Sequence, residues 1–437
     1  MRISIKQPLT ITIAFTALLL TACGGGSSSE NTPSAGNSLW TAGVFQSPET
    51  FENYCQIPRS GIDPYSGSSY PDKAGTSEHE KMWLRSWSNN TYLWYNEITD
   101  RDPQGFGVIE YFDLLKTNQR TSSNTPKDNF HFTQVTDEYN ALSQSGVTST
   151  YGIDWEFVNV TAPRKLVVRF TELNSPAANA EIKRGFELTQ IDNIDFINTN
   201  NADHIALINN ALYPSERGVS HRFTFTDPNN NNVSTTFTLT SENLQSDYVP
   251  EAKIIELDNK QAGYLRFNAF NRTAQQDLIN SFNMFSQANV AELIIDLRYN
   301  SGGLLAMSSQ LAYMVAGDAQ TNNAIFETTQ FNDKHQTRNP ITNEALRPTP
   351  FYQQQIDYTR NVFTNVNLPS LNLTRVFVLT TGATCSASEA FINGLRGINV
   401  EVIQIGDTTC GKPYGFYPQD NCGTTYFTIQ FQGINNL

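Results

Sequence analysis

The chain has 437 residues, 39% of them hydrophobic and 11% aromatic, which is enough to build more than one core. Its net charge of −13, from 29 basic and 42 acidic residues, argues against a sequence-independent nucleic-acid binder, which needs basic patches to displace counterions. After residue 40 no apolar stretch reaches the roughly 18 residues of a membrane span, so no spanning segment is expected there.

The N-terminus reads as a targeting segment rather than as fold. Arg2 and Lys6 supply positive charge, Leu9 to Leu20 is apolar, and Leu20-Thr21-Ala22-Cys23 follows. This resembles a bacterial lipobox, in which the chain is cut before a cysteine whose thiol is lipidated. The alternative is an ordinary signal peptide that contains a cysteine. Residues 1–23 are therefore expected to be a lipoprotein signal peptide, with Cys23 as the lipidation site. Residues 24–39, beginning Gly24-Gly25-Gly26-Ser27, are a flexible linker by composition. The expected location is the bacterial cell envelope, held by a lipid anchor in the membrane. Gly24 after the cysteine fits outer-membrane sorting by analogy, facing the periplasm or the cell surface.

Disulfides can form in that compartment. Cys55, Cys385, Cys410 and Cys422 remain, and four cysteines admit three pairings. Cys410 and Cys422 enclose a short Gly/Pro-rich loop and are the first candidate pair. No Cys/His cluster has zinc-like spacing, and neither a metal nor a cofactor is expected.

Residues 40–145 read as a helical N-terminal domain. Trp83, Leu84, Trp87 and Trp94 fall at helix-like spacing in "EHEKMWLRSWSNNTYLWYNEI", the pattern of an amphipathic helix on a core. A second helix is predicted around Val108 to Lys116.

Residues 146–247 switch to short strands and turns. "KLVVRF", "HRFTFTD" and "STTFTLT" read as strands, with "DPNNNN" turning between the last two. Ser175 to Asn193 resembles a PDZ domain, with a Ser-Pro-Ala helix start, an Ile-Lys-Arg-Gly turn and an apolar strand ending in Asp-Asn. The resemblance implies a loop, here Tyr151-Gly152-Ile153, that offers backbone amides to a peptide's C-terminal carboxylate.

From residue 248 to 437 apolar strands alternate with helices, which suggests a parallel sheet covered on both faces. Two strands, "AELIIDLR" and "RVFVLTT", each run into a small-residue bend and then a helix. Parallel connections place both bends on one sheet edge, where helix N-terminal amides offer unsatisfied donors. One bend is Asn300-Ser301-Gly302-Gly303; the other contains Cys385-Ser386-Ala387-Ser388. Ser386 and Glu389 also form a capping-box pattern, so the serine could serve the helix, the chemistry or both. A serine nucleophile needs a base, and Lys412 follows on a Gly/Pro-rich turn. Burial would be required to hold that amine neutral.

These segments resemble the tail-specific, or C-terminal processing, serine proteases. "DLRYNSGG" resembles their Asp-Leu-Arg-x-Asn-x-Gly-Gly segment, "SASE" their nucleophile segment and Gly411-Lys412 their lysine turn. The resemblance implies Ser386 as nucleophile and Lys412 as base. It implies an oxyanion hole from Gly302 or Gly303 together with Ala387. Two departures stand out. Phe416 occupies the position where many members carry a polar group that orients the lysine, and Cys385 directly precedes the nucleophile. The chain stops at Leu437, soon after the strand from Thr424 to Phe431, where family cores usually continue, so a truncated C-terminus is expected.

The expected fold is α/β and α+β multidomain: a helical N-terminal region, a PDZ-like β domain and a parallel-sheet core resembling the ClpP/crotonase-like fold. The expected function is a serine endopeptidase acting through a Ser-Lys dyad on proteins with free C-termini. An adaptor or homo-oligomer is compatible with this reading. The alternative is an envelope lipoprotein that binds protein tails while its core is inactive or adaptor-dependent.

Overall fold

The structure, a computed structural model, describes residues 39–258 and 260–435. The signal peptide, Cys23 and nearly all of the 24–39 linker lie outside those residues. The chain divides into two compact units, one formed by Thr148–Leu244 and the other by Leu39–Val147 with Gln245–Leu437.

The larger unit is organised by a five-stranded sheet. Strands Lys260–Arg266, Glu292–Asp296, Arg375–Thr380 and Glu401–Gly406 run parallel, and Glu251–Leu257 closes one edge antiparallel. The helices Gln275–Gln287, Leu305–Ala316 and Ala387–Gly397 lie between successive parallel strands in sequence. Leu293, Ile295, Val376 and Val378 are fully buried, as are Leu311 and Leu395 on two of the helices. Truncating side chains of this kind typically costs about 2–5 kcal/mol, so this core fixes the position of the strand ends. Beyond the sheet, Ile325–Phe331 pairs antiparallel with Phe431–Ile434.

The N-terminal segment departs from the expected separate helical domain. It contains the helices Ser77–Thr91 and Val108–Leu114, but also the strand Phe132–Val135, which pairs with Thr424–Phe427. The amphipathic stripe explains why this segment joins the larger unit. Trp83 and Trp87 stack with ring centres 5.2 Å apart, and their cluster is completed by Tyr426 from the other end of the chain. Trp94 falls beyond the helix, where its ring meets Tyr414 edge-on at 4.9 Å.

The expected Cys410–Cys422 bridge is not formed. Cys55 bonds Cys422, and Cys385 bonds Cys410. The docking of the N-terminal segment on the C-terminal strands brings the first pair together, a contact that loop length in sequence cannot reveal.

The smaller unit is an antiparallel sheet in the order Val233–Thr240, Ser220–Asp227, Glu187–Ile191, Lys165–Thr171, Ile153–Asn159. The helix Ala202–Leu212 is capped by Asn201, whose side chain accepts the His204 amide at 3.0 Å. Its Ile205 and Ile208 join Leu166, Val168, Phe223 and Phe225 in one core. The Ser-Pro-Ala segment forms a short helix with Ser175 as its cap, accepting the Ala178 amide at 3.1 Å. Asp192 and Asn193 turn the chain through positive φ after their strand.

Candidate active site

The strands Glu292–Asp296 and Arg375–Thr380 are parallel neighbours, with Asp296 opposite Leu379. The two bends therefore leave the sheet on the same edge, and hydrogen bonds lock them together. Asn300 is wholly buried, and its Nδ2 donates to Phe267 O at 3.0 Å. Its carbonyl oxygen accepts the Cys385 amide at 3.1 Å and the Ser388 hydroxyl at 3.0 Å. Thr384 donates to Leu297 O at 2.8 Å. Asp296 supports the first bend from below, taking hydrogen bonds from Arg298 at 2.6 Å and Tyr264 at 2.9 Å. Burial pushes the Asp296 carboxyl up, but these donors more than offset it and hold the group below its ordinary value.

Ser386 sits at φ 58°, ψ −115°, a positive-φ conformation that a non-glycine residue adopts only when its surroundings impose it. Glu389 accepts the Ser386 amide at 2.9 Å, which is one half of the expected capping box. Among the described residues the Ser386 hydroxyl makes no side-chain cap hydrogen bond. Gly302 permits this arrangement. A Cβ there would stand 2.8 Å from Ser386 Cβ and 3.0 Å from the Ala387 nitrogen.

The two glycines differ. The Gly302 amide donates to Asn300 Oδ1 at 2.9 Å, so it is spent within its own bend and is unavailable to an oxyanion. The amides of Gly303 and Ala387 have no protein acceptor among the described residues. Of the two expected glycines, only Gly303 keeps an open amide, because the Asn300 side chain occupies its neighbour.

Lys412 is 8% exposed. Its Nζ lies 4.0 Å from the centre of the Phe416 ring and 4.9 Å from that of Phe130. Burial pushes its amine down to about 8, while the negative charges of Asp128 and Glu389 act in the opposite direction. The departure at Phe416 is thereby accounted for: two aromatic faces hold the lysine, one of them supplied by the N-terminal segment. Phe130 and Asp128 were not among the expected site residues, because their loop carries no motif and reaches the lysine only through the tertiary fold.

Glu389 connects the two turns. Its carboxylate accepts the Lys412 amide at 2.9 Å, the Gly411 amide at 2.8 Å and the Thr409 hydroxyl at 2.7 Å, besides the Ser386 amide. The Cys385–Cys410 disulfide runs parallel to this network. Cys385, Cys410 and Glu389 place their ligand-type atoms within 4.8 Å of one another, but both sulfurs are committed to the disulfide and offer no thiolate to a metal.

Ser386, Lys412, Glu389 and Gly303 all line one cavity of about 580 Å³. The lysine amine and serine hydroxyl face it without hydrogen-bonding each other. Catalytic contacts commonly tighten only when substrate is bound.

In the smaller unit, Tyr151 is 1% exposed and Ile153 begins a strand. The Gly152 amide donates to Thr150 Oγ1 at 3.1 Å. His131 is a satisfied structural residue, its ring nitrogens 2.8 Å from Phe112 O and 3.0 Å from Thr428 Oγ1, and burial pushes it down to about 4.

The sheet edge thus sets a serine at a strained helix start, with open amides beside it. Residues 261–416 match the family model of peptidase family S41. The chain is 27% identical over 179 residues to the carboxyl-terminal-processing protease of a Picosynechococcus strain, covering 40% of this chain and 41% of that protein. The match thus spans less than half of the curated relative. A solved structure assigned to the S41 proteases, from Bacteroides fragilis, shares the fold with a TM-score of 0.56 at 21% identity, covering 84% of this chain and 86% of that one.

Proposed function

We propose that the protein is a serine endopeptidase that cleaves protein substrates through Ser386 and Lys412. The supporting observation is that the Ser386 hydroxyl, the buried Lys412 and the Gly303 amide border one cavity, with the Ala387 amide directly after the serine. Neutral Lys412 takes the proton from Ser386 Oγ as that oxygen bonds to the substrate carbonyl carbon. The Gly303 and Ala387 amides donate hydrogen bonds to the carbonyl oxygen as negative charge develops on it. Collapse of the tetrahedral adduct breaks the C–N bond, and the lysine returns its proton to the departing amine. Water then attacks the acyl-enzyme, giving its proton to Lys412; the acyl C–O bond breaks as the lysine returns that proton to Ser386 Oγ, restoring the hydroxyl and the neutral amine. A fluorophosphonate probe should label the wild-type protein and not Ser386→Ala. A wild type that never labels would favour the tail-binding alternative.

The PDZ-like unit is the proposed recognition element for C-terminal tails, through the loop at Tyr151, Gly152 and Ile153. Peptides differing only in a free or amidated C-terminus test this, and equal affinity would remove carboxylate capture. The protein is further proposed to be anchored in the bacterial envelope through lipidated Cys23. Its two disulfides fit an oxidising compartment. Incorporation of labelled fatty acid, lost on Cys23→Ala, is the corresponding test.

A further inference from the structure

The cavity at Ser386 continues along one face of the helix Ala387–Gly397. Ser386, Glu389, Ala390 and Asn393 all line it, about seven residues of helix or roughly 10 Å at 1.5 Å per residue. Its walls are largely apolar, with Leu305, Ala306, Phe326 and Phe431 among them. At the end away from the serine, Asn435 Nδ2 donates to Asn393 O at 2.8 Å, and the Phe326 ring packs against Gly394. The strand that carries Phe326 also carries Glu327, and the strand that ends just before Asn435 carries Gly433; both of these residues line the cavity. A side chain at 433 would occupy the place of the Glu327 carboxylate, so glycine makes room for that group.

The two acids of the cavity contrast sharply. Glu389 is saturated by the donors that join the catalytic turns. Glu327, partly buried, has no ion-pair partner and no hydrogen-bond donor among the described residues. Burial alone pushes it up to about 7, as expected for a carboxyl with no internal counter-charge. Such a group is costly to the fold unless an incoming ligand completes it.

We propose that Glu327 is the specificity-determining residue of this cavity, receiving the cationic side chain, lysine or arginine, of the substrate residue whose carbonyl Ser386 attacks. This rests on the peptidase reading above. A slot with apolar walls and one unpartnered acid matches a side chain with an aliphatic stem and a charged tip. Norleucine supplies the stem without the charge, and glutamate brings a repelling charge.

The test uses the full chain and three fluorogenic peptides that differ only at that residue: lysine, norleucine or glutamate. Wild type should prefer lysine over norleucine by about tenfold or more in kcat/KM, the range expected for a desolvated charge pair. Glu327→Gln should bring the ratio close to one, and Glu327→Arg should turn the preference toward the glutamate peptide. A wild type that cuts the norleucine peptide as readily, or a Glu327→Gln protein that keeps the lysine preference, overturns the assignment. Mapping of wild-type cuts in a denatured protein substrate needs no variant, and cuts not enriched after lysine or arginine also overturn it. Fluorophosphonate labelling in parallel separates the two readings. An enzyme that labels but lacks the preference defeats only the Glu327 assignment; one that neither labels nor cuts defeats the peptidase reading as well.

Discussion

The backbone amides of Ser386 and Lys412 both lie 2.9 Å from a single atom, Glu389 Oε2. The proposed nucleophile and base are therefore positioned by one carboxylate that lies behind them. Removing it leaves buried amides unsatisfied and frees the two turns to separate. Glu389→Ala should lower kcat by about 10²-fold, the effect of a small misplacement of reacting groups, with less change in KM. Because the Glu389 charge raises the lysine value, the ascending limb of the pH–rate profile should also move to lower pH. Steady-state kinetics across pH measures both effects.

The pH dependence of the unaltered protein follows from Lys412. Its amine must be neutral to act as base, so kcat/KM should rise with pH and level off above about 8. Stability should follow the same direction over a different window. The unfolded lysine titrates near its ordinary 10.5 and the folded one near 8, so between these values the unfolded state binds more protons. Stability should increase as pH rises through that interval, and below it the full penalty of about 3 kcal/mol should be present. Lys412→Met should abolish activity and remove this part of the pH dependence. Denaturant unfolding at a series of pH values is the measurement.

Gly302 is required because two bends meet at it. Gly302→Ala forces a methyl group against Ser386 and Ala387 and places alanine at φ 107°. The expected result is a fall in kcat of about 10²–10³-fold, the scale of a disturbed oxyanion site. Circular dichroism should be nearly unchanged, and fluorophosphonate labelling should slow in proportion.

The bend containing Ser386 and the turn containing Lys412 are also joined covalently, through Cys385 and Cys410. Cys410→Ser should lower kcat/KM by about tenfold, because Glu389 alone must then hold the lysine turn. Breaking the other bridge with Cys55→Ser should act chiefly on stability, by about 2–5 kcal/mol. Activity and melting temperature, measured on both variants, should separate these effects.

The sequence revealed much of this architecture because local patterns determine it. The apolar strand at Leu293 to Ile295 and the bends after Asp296 and Thr380 could be read from hydrophobic runs and small residues. So could Ser386 and Lys412, through motifs that survive in linear order. Other features were hidden because they depend on contacts between distant segments. Phe130 and Phe416 hold the lysine through packing, and the spacing in sequence between Cys55 and Cys422 says nothing of their meeting. The aromatic stripe at Trp83 and Trp87 announced a buried face but not its partner, Tyr426. Gly302 and Gly303 looked equivalent until the Asn300 side chain was seen to claim the first amide.

The Cys55–Cys422 bond has one more consequence. It closes the polypeptide into a ring with a sequence separation of 367 residues, and in sequence the whole PDZ-like unit lies between its two cysteines. A single nick inside it, whether by another enzyme or by a second copy of this one, yields no separate fragments until the bridge is reduced. Processed and intact molecules should therefore migrate as species of equal mass on a non-reducing gel and divide only after thiol treatment.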